Sequence, residues 1–176
     1  MSDNSTPIRI IAAHAGTGKT TFAAQNPEKF IDFVLMPYKY HLPDRINEDE
    51  SESCKADFDL EMRDDYPFNY VEAIKNLLNT TDKMIIIPST SEVLRLLQNE
   101  DISYLLCYPE NTEEAKSEYQ RRYIERGNNE DFLGIFVDGW NNFMCGFEND
   151  DFGVHIVLKS NEFLSDVINT NKEHYK

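Results

Sequence analysis

Five short apolar runs punctuate the chain, and most of the segments between them space their apolar residues three or four apart. The runs are Ile8-Arg9-Ile10-Ile11-Ala12, Phe30 to Leu35, Met84-Ile85-Ile86-Ile87, Ile102 to Cys107, and Val154-His155-Ile156-Val157-Leu158, each of strand length. Between them the spacing predicts helices over Lys19 to Gln25 and over Asn69 to Leu78, the latter with its apolar face at 70, 74, 77 and 78. A third is predicted from Ser89 to Asn99, with Ser89 and Glu92 at capping-box spacing, and a fourth from Asn111 to Arg126, closed by Gly127-Asn128 as a left-handed cap. Phe132, Phe136, Trp140, Phe143 and Phe147 form one stripe of a further helix, a pattern that core packing explains. Glu162 to Ile168 closes the series with Asn161 as its N-cap. Parallel strands need crossover connections, so strands that mostly alternate with helices predict a three-layer α/β/α fold around a five-stranded parallel sheet. In such folds ligands bind beyond the carboxyl ends of the strands.

The segment from Met36 to about Phe68 departs from this rhythm. It holds Pro37, Pro43 and Pro67, the aromatics Tyr38, Tyr40 and Tyr66, and ten carboxylates between Asp44 and Asp65. A stretch of about thirty residues with weak periodicity inside a compact domain is expected to be a binding loop, a lid or a partly disordered segment. At 176 residues the chain fits a single domain over 1–176. Its net charge of -15 repels a phosphate backbone and disfavours general nucleic-acid binding. No apolar run reaches membrane-spanning length. Three cysteines, Cys54, Cys107 and Cys145, share no metal-like spacing, and no signal-peptide pattern precedes the first run. A cytoplasmic protein is expected, with Cys107 a buried small hydrophobe.

The chemistry concentrates in Ala13-His14-Ala15-Gly16-Thr17-Gly18-Lys19-Thr20, which follows the first strand and opens the first helix. Glycines at 16 and 18 let successive amides turn inward towards phosphate oxygens, Lys19 can reach the β- and γ-phosphates, and Thr20 can hold Mg²⁺. Ala13 stands where the usual pattern has its first glycine. The cofactor-binding set is therefore Ala15, Gly16, Thr17, Gly18, Lys19, Thr20 and Thr21, for ATP with Mg²⁺. Two histidines have simpler readings than catalysis: His14 faces away from the phosphates or towards the second substrate, and His155 is a hydrogen-bonded core residue.

That loop, the order of elements and the arginine-bearing helix after the fourth strand resemble the P-loop nucleoside monophosphate kinase and shikimate kinase group. Tyr108-Pro109, Glu118 to Tyr123, Arg126-Gly127-Asn128 and His155 to Leu158 also resemble a narrower set of bacterial and phage P-loop ATP-binding proteins, which supplies no substrate. The broader resemblance implies that positions 111–131 form a lid-like segment whose Arg122 and Arg126 reach the phosphates. It implies that positions 36–68 form the acceptor region. It further implies that Asp32, at the end of the second strand, helps Thr20 hold Mg²⁺ or accepts the acceptor's proton, and that Lys159 to Asn161 hold the adenine. Against these stand plainer roles. Glu118 and Arg122 also make a favourable i,i+4 pair on a solvated face, Ser89 and Thr90 suit capping, and Phe33-Val34-Leu35 after Asp32 would bury it within its strand.

The expected activity is ATP-dependent phosphoryl transfer to a small molecule, nucleotide or nucleoside-like. Pro88-Ser89-Thr90 replaces the aspartate that usually ends the third strand of such proteins. That leaves a nucleotide-binding switch or partner-binding module as the alternative, and a structural protein with a decayed loop as a third reading. A GTPase is disfavoured by the lack of an Asn-Lys-x-Asp element.

Overall fold

The computed structural model describes residues 7–42 and 60–168. Five parallel strands, β1 (Ile10–Ala13), β2 (Phe30–Asp32), β3 (Met84–Pro88), β4 (Leu105–Pro109) and β5 (Val154–Leu158), form one sheet in the order β2-β3-β1-β4-β5. The helices are α1 (Lys19–Gln25), α2 (Met36–Lys39), α3 (Phe68–Thr80), α4 (Ser91–Asn99), α5 (Glu113–Glu125), α6 (Glu130–Leu133), α7 (Trp140–Glu148) and α8 (Leu164–Ile168). A π-helical turn, Gly134–Asp138, joins α6 to α7.

The alternation of β1 sorts the core into two layers. Ile11 and Ala13 face α1 and α8, packing with Phe22, Ala23, Leu105, Cys107, Ile156, Leu164 and Ile168. Ile10 and Ala12 face the opposite way, into the larger cluster built by α3, α4, α5 and α7. Because both faces are covered, Ile85, Ile86 and Ile87 are fully buried, each contributing about 2 kcal/mol. Strands at the edges differ: in β5 only Ile156 and Leu158 are buried, while His155 and Val157 are exposed. The core histidine expected at 155 is therefore an edge-strand residue, hydrogen-bonded through Nδ1 to the Tyr108 hydroxyl at 2.9 Å and through Nε2 to the Asp150 carbonyl oxygen at 2.6 Å.

Several boundaries move, each for a visible reason. Strand β2 stops at Asp32: the Phe33 amide still donates to Ile86 C=O at 2.8 Å while its ring stacks on Tyr70 with centroids 4.9 Å apart, and Met36-Pro37 starts α2. The Ser89 capping box does not form. Ser89 instead extends the strand edge, its amide donating to Ala13 C=O at 3.3 Å, and α4 begins at Ser91 with no side-chain cap. Helix α5 starts later than expected, with the Thr112 hydroxyl accepting from the Ala115 amide. Its far end is as expected: Gly127 takes φ +77°, its amide donates to Ile124 C=O, and the Asn128 amide reaches Tyr123 C=O. The single aromatic-striped helix breaks into α6, the π turn and α7. The final helix starts at Leu164 rather than after an Asn161 cap, the Asp166 carboxylate accepting from the Phe163 amide. No helix among the described residues is long and apolar enough to cross a membrane.

Of the acidic segment, positions 36–42 and 60–68 are described. They form α2, an antiparallel bridge between Tyr40 and Met62, and a turn in which Arg63 pairs with Asp65 at 3.1 Å. Arg45, Lys55, Cys54 and most of the carboxylate cluster lie outside the described residues.

Candidate functional site

At the carboxyl end of β1 the chain leaves towards α1 on one face, while β3 and β4 on either side send α4 and α5 to the other. The glycine loop occupies this divergence. Gly16 and Gly18 adopt φ of +82° and +86°, a left-handed conformation natural to glycine. Neither position has room for more: a Cβ on Gly16 would lie 2.9 Å from Tyr123 Cε1, and one on Gly18 would lie 3.2 Å from Phe163 Cδ1.

Every carbonyl from Ala13 to Gly18 accepts a hydrogen bond. Ala13 C=O takes the Ser89 amide, His14 C=O the Thr17 hydroxyl at 2.7 Å, and Ala15 C=O the Tyr123 hydroxyl at 3.0 Å. Gly16 C=O accepts from Arg122 at 3.2 Å, Thr17 C=O from the Leu164 amide at 2.9 Å, and Gly18 C=O from the Phe22 amide at 2.9 Å. The amides of Ala15, Gly16, Thr17 and Gly18 donate to no carbonyl among the described residues. Outward-held carbonyls and unpaired amides at a helix start make a concave set of donors suited to an anion. Lys19 is buried and lies over the same loop, its Nζ 3.3 Å from Ala13 O and 3.2 Å from His14 O.

Ending β2 at Asp32 puts that carboxylate at the sheet edge, where the Thr20 hydroxyl donates to Oδ2 at 2.6 Å. A threonine oxygen oriented by an aspartate suits Mg²⁺ held chiefly by phosphate oxygens and water. It does not make a free-standing cage, and no group of three metal-binding acidic, histidine or cysteine side chains occurs among the described residues. Thr21 is exposed on α1.

The two arginines of α5 separate. Arg122 is buried and faces inward: Nε donates to Glu118, Nη1 to the carbonyls of Gly16 and Glu162, and Nη2 to Ser160 C=O at 2.8 Å. Its guanidinium carbon sits 4.5 Å from the Tyr119 ring centroid and 3.9 Å from that of Phe163. The residue thus ties α5, the glycine loop and the turn after β5 into one unit. Arg126, one helical turn on, is exposed and lines the cavity described below. Lys159 and Asn161 are exposed in the turn that Arg122 holds, and the Lys159 amide donates to Glu162.

His14 turns away from the loop into a cage of Tyr119, Phe136, Trp140, Phe143 and Phe147, with ring centroids 5.4 to 6.3 Å away. Burial, with a smaller contribution from the Lys19 charge, lowers its pKa to about 3. A neutral imidazole so hard to protonate is a poor catalytic base at neutral pH. Cys107 behaves as a buried hydrophobe whose thiol is pushed up to about 12 by burial.

Beside the loop lies a cavity of about 620 Å³, a size suited to a small molecule. Lys19 and His14 line it from the loop, Phe132, Phe136 and Phe143 from the helical segment that follows α5, and Lys39, Ser89 and Glu92 from the segments that follow β2 and β3. Sequence reasoning placed Lys39 at the edge beyond the second strand but left Glu92 out of the site, since capping spacing absorbed it. Tyr119 and Tyr123, four apart on α5, were detectable as a buried stripe and were passed over because the helix is otherwise polar. No family model matches the chain, and no curated protein matches it. The parallel sheet and alternating helices are compatible with a P-loop-like α/β fold.

Proposed function

We propose that this chain is a P-loop kinase that transfers the γ-phosphoryl group of ATP to a small molecule, nucleotide or nucleoside-like. The observation that carries this reading is the glycine loop itself. Six successive carbonyls are held by hydrogen bonds, four amides stay unpaired among the described residues, and its lysine borders a cavity of ligand size.

In this reading the amides of Ala15 to Thr20 cradle the triphosphate and Lys19 offsets charge on the transferring group. Thr20 and Asp32 would hold Mg²⁺, which would offset the charge of the phosphates. Arg126 is the arginine able to reach phosphate from the cavity side. Arg122 serves as a positioning residue, since its donors already hold the carbonyls of Gly16, Ser160 and Glu162. Lys159 to Asn161 meet the adenine, the acceptor occupies the cavity, and the setting is cytoplasmic. The chain's acidity accords with a small-molecule partner rather than general nucleic-acid binding.

Replacing Lys19 by Ala is expected to abolish transfer and to weaken ATP binding, as read by product formation from labelled ATP and by calorimetry. Turnover at the wild-type rate in that variant would refute the assignment. ATP binding with no labelled product across nucleosides, monophosphates and sugars would favour a nucleotide-dependent switch instead.

A further inference from the structure

The cavity has two unlike walls, and their chemistry narrows what can enter. On the first, Phe132 and Phe136 stack with centroids 4.4 Å apart, and Phe136 stacks on Phe143 at 5.3 Å and an interplanar angle of 7°. All three rings are only partly buried, and Ile135 beside them is 47% exposed. Apolar surface left facing a cavity is stabilised by a flat apolar ligand body that displaces the water against it. On the second wall Glu92 follows β3, and its Oε1 lies 4.0 Å from Lys39 Nζ, which is 5.1 Å from the Tyr66 ring centroid. Since the capping box does not form, the Glu92 carboxylate is not engaged in holding the start of α4. Its hydrogen-bonding partner is the neighbouring Ser91 hydroxyl at 3.2 Å.

Among the described residues, charge on the lining is negative once Lys19 and Arg126 are assigned to the nucleotide: Lys39 alone stands against Glu92 and Asp131. The guanidinium that could have added a forked donor for an acceptor phosphate, Arg122, is spent on three carbonyls and Glu118. Among the described residues a second phosphate in this cavity would meet only Lys39, which already pairs with Glu92, whereas an uncharged hydroxyl compound needs no cation.

We infer that the cavity takes an uncharged alcohol with a flat aromatic or heteroaromatic body, and that Glu92 is the catalytic carboxylate for its hydroxyl. This inference rests on the kinase reading above. The ring system lies on the Phe132, Phe136 and Phe143 wall, and the hydroxyl is held at Glu92. As the hydroxyl oxygen bonds to the γ-phosphorus of ATP, its proton passes to Glu92. The bond between that phosphorus and the β–γ bridging oxygen breaks with its electron pair, leaving ADP.

The test uses the full chain with adenosine and thymidine as probes, beside their 5′-monophosphates, and reads binding and transfer separately. Trp140, the only tryptophan, packs 6.2 Å from the His14 ring at the edge of the cavity, so its fluorescence reports acceptor binding without ATP. The nucleosides are expected to change that fluorescence, and the monophosphates to bind about tenfold more weakly, since Lys39 already pairs with Glu92. With MgATP present, Glu92→Gln is expected to lower kcat about 100-fold while leaving KM and the fluorescence titration near wild type. Monophosphates that bind or react as well as nucleosides, no fluorescence change with either nucleoside, or an unaltered kcat in Glu92→Gln would each overturn the inference. Failure of calorimetry to detect MgATP would instead overturn the kinase reading, and the fluorescence arm would still decide the ligand class.

Discussion

The two sides of the glycine loop are built on opposite principles. Towards α5 and the turn after β5 the loop is tethered: Tyr123, Arg122 and the Leu164 amide hold three successive carbonyls, and the Tyr123 and Phe163 rings fill the space beside both glycines. Towards α6 and α7 the same loop meets aromatic rings that are partly uncovered, around a cavity. The difference teaches where rigidity comes from. A backbone whose carbonyls are fixed from behind presents its amides without further ordering, and the side left open is the side able to accommodate a ligand.

If that contrast is right, substitutions on the tethered side cost stability, and those on the open side spare it. The largest loss is expected from Arg122→Ala, which strips three carbonyls of their donor and leaves Glu118 without its inward partner. Urea unfolding should show a loss of about 3 kcal/mol, with Arg122→Lys failing to restore it because a lysine cannot fork between separate acceptors. Gly16→Ala is expected to cost about 2 kcal/mol, from the positive φ and the contact with Tyr123, read in the same way.

His14 lies on the boundary between the two sides and yields a pH test. Its folded-state pKa of about 3 lies below the ordinary value of 6.5, so the unfolded chain binds the proton first as pH falls. Stability from this residue is full above pH 6.5 and is lost as pH falls from there towards 3. In His14→Gln the fall in urea midpoint between pH 7 and pH 5 should be shallower than in the wild type. An equally steep fall would show that the imidazole protonates within its cage. The smallest effect on stability is expected from Ile135→Ala on the open side, within about 0.5 kcal/mol of wild type. A loss as large as that of Gly16→Ala would erase the distinction between the sides.

Much of this arrangement was legible along the chain. The five apolar runs became the five strands, because a sheet covered on both faces demands continuous apolar residues, and Gly127 ended α5 because only a left-handed residue closes that turn. Asp32 was legible as a residue type, but its place at the edge depended on β2 ending there, with the Phe33 ring anchored on Tyr70 and α2 starting at Met36. Arg122 and Arg126 looked equivalent because helical periodicity gives both the same face. They differ because Arg122 is covered by Tyr119 and Phe163 and bonded to the glycine loop, whereas Arg126, at the end of the helix, is exposed.

By itself, then, the order of residues determined the alternation of strands and helices, the glycine loop and the lysine that follows it, since these depend on contacts within a few residues. Which carbonyls are tethered, where His14 points and that Glu92 faces Lys39 were decided only by tertiary structure. These features join residues from 50 to more than 100 positions apart, and their geometry exists only once both layers have packed on the sheet.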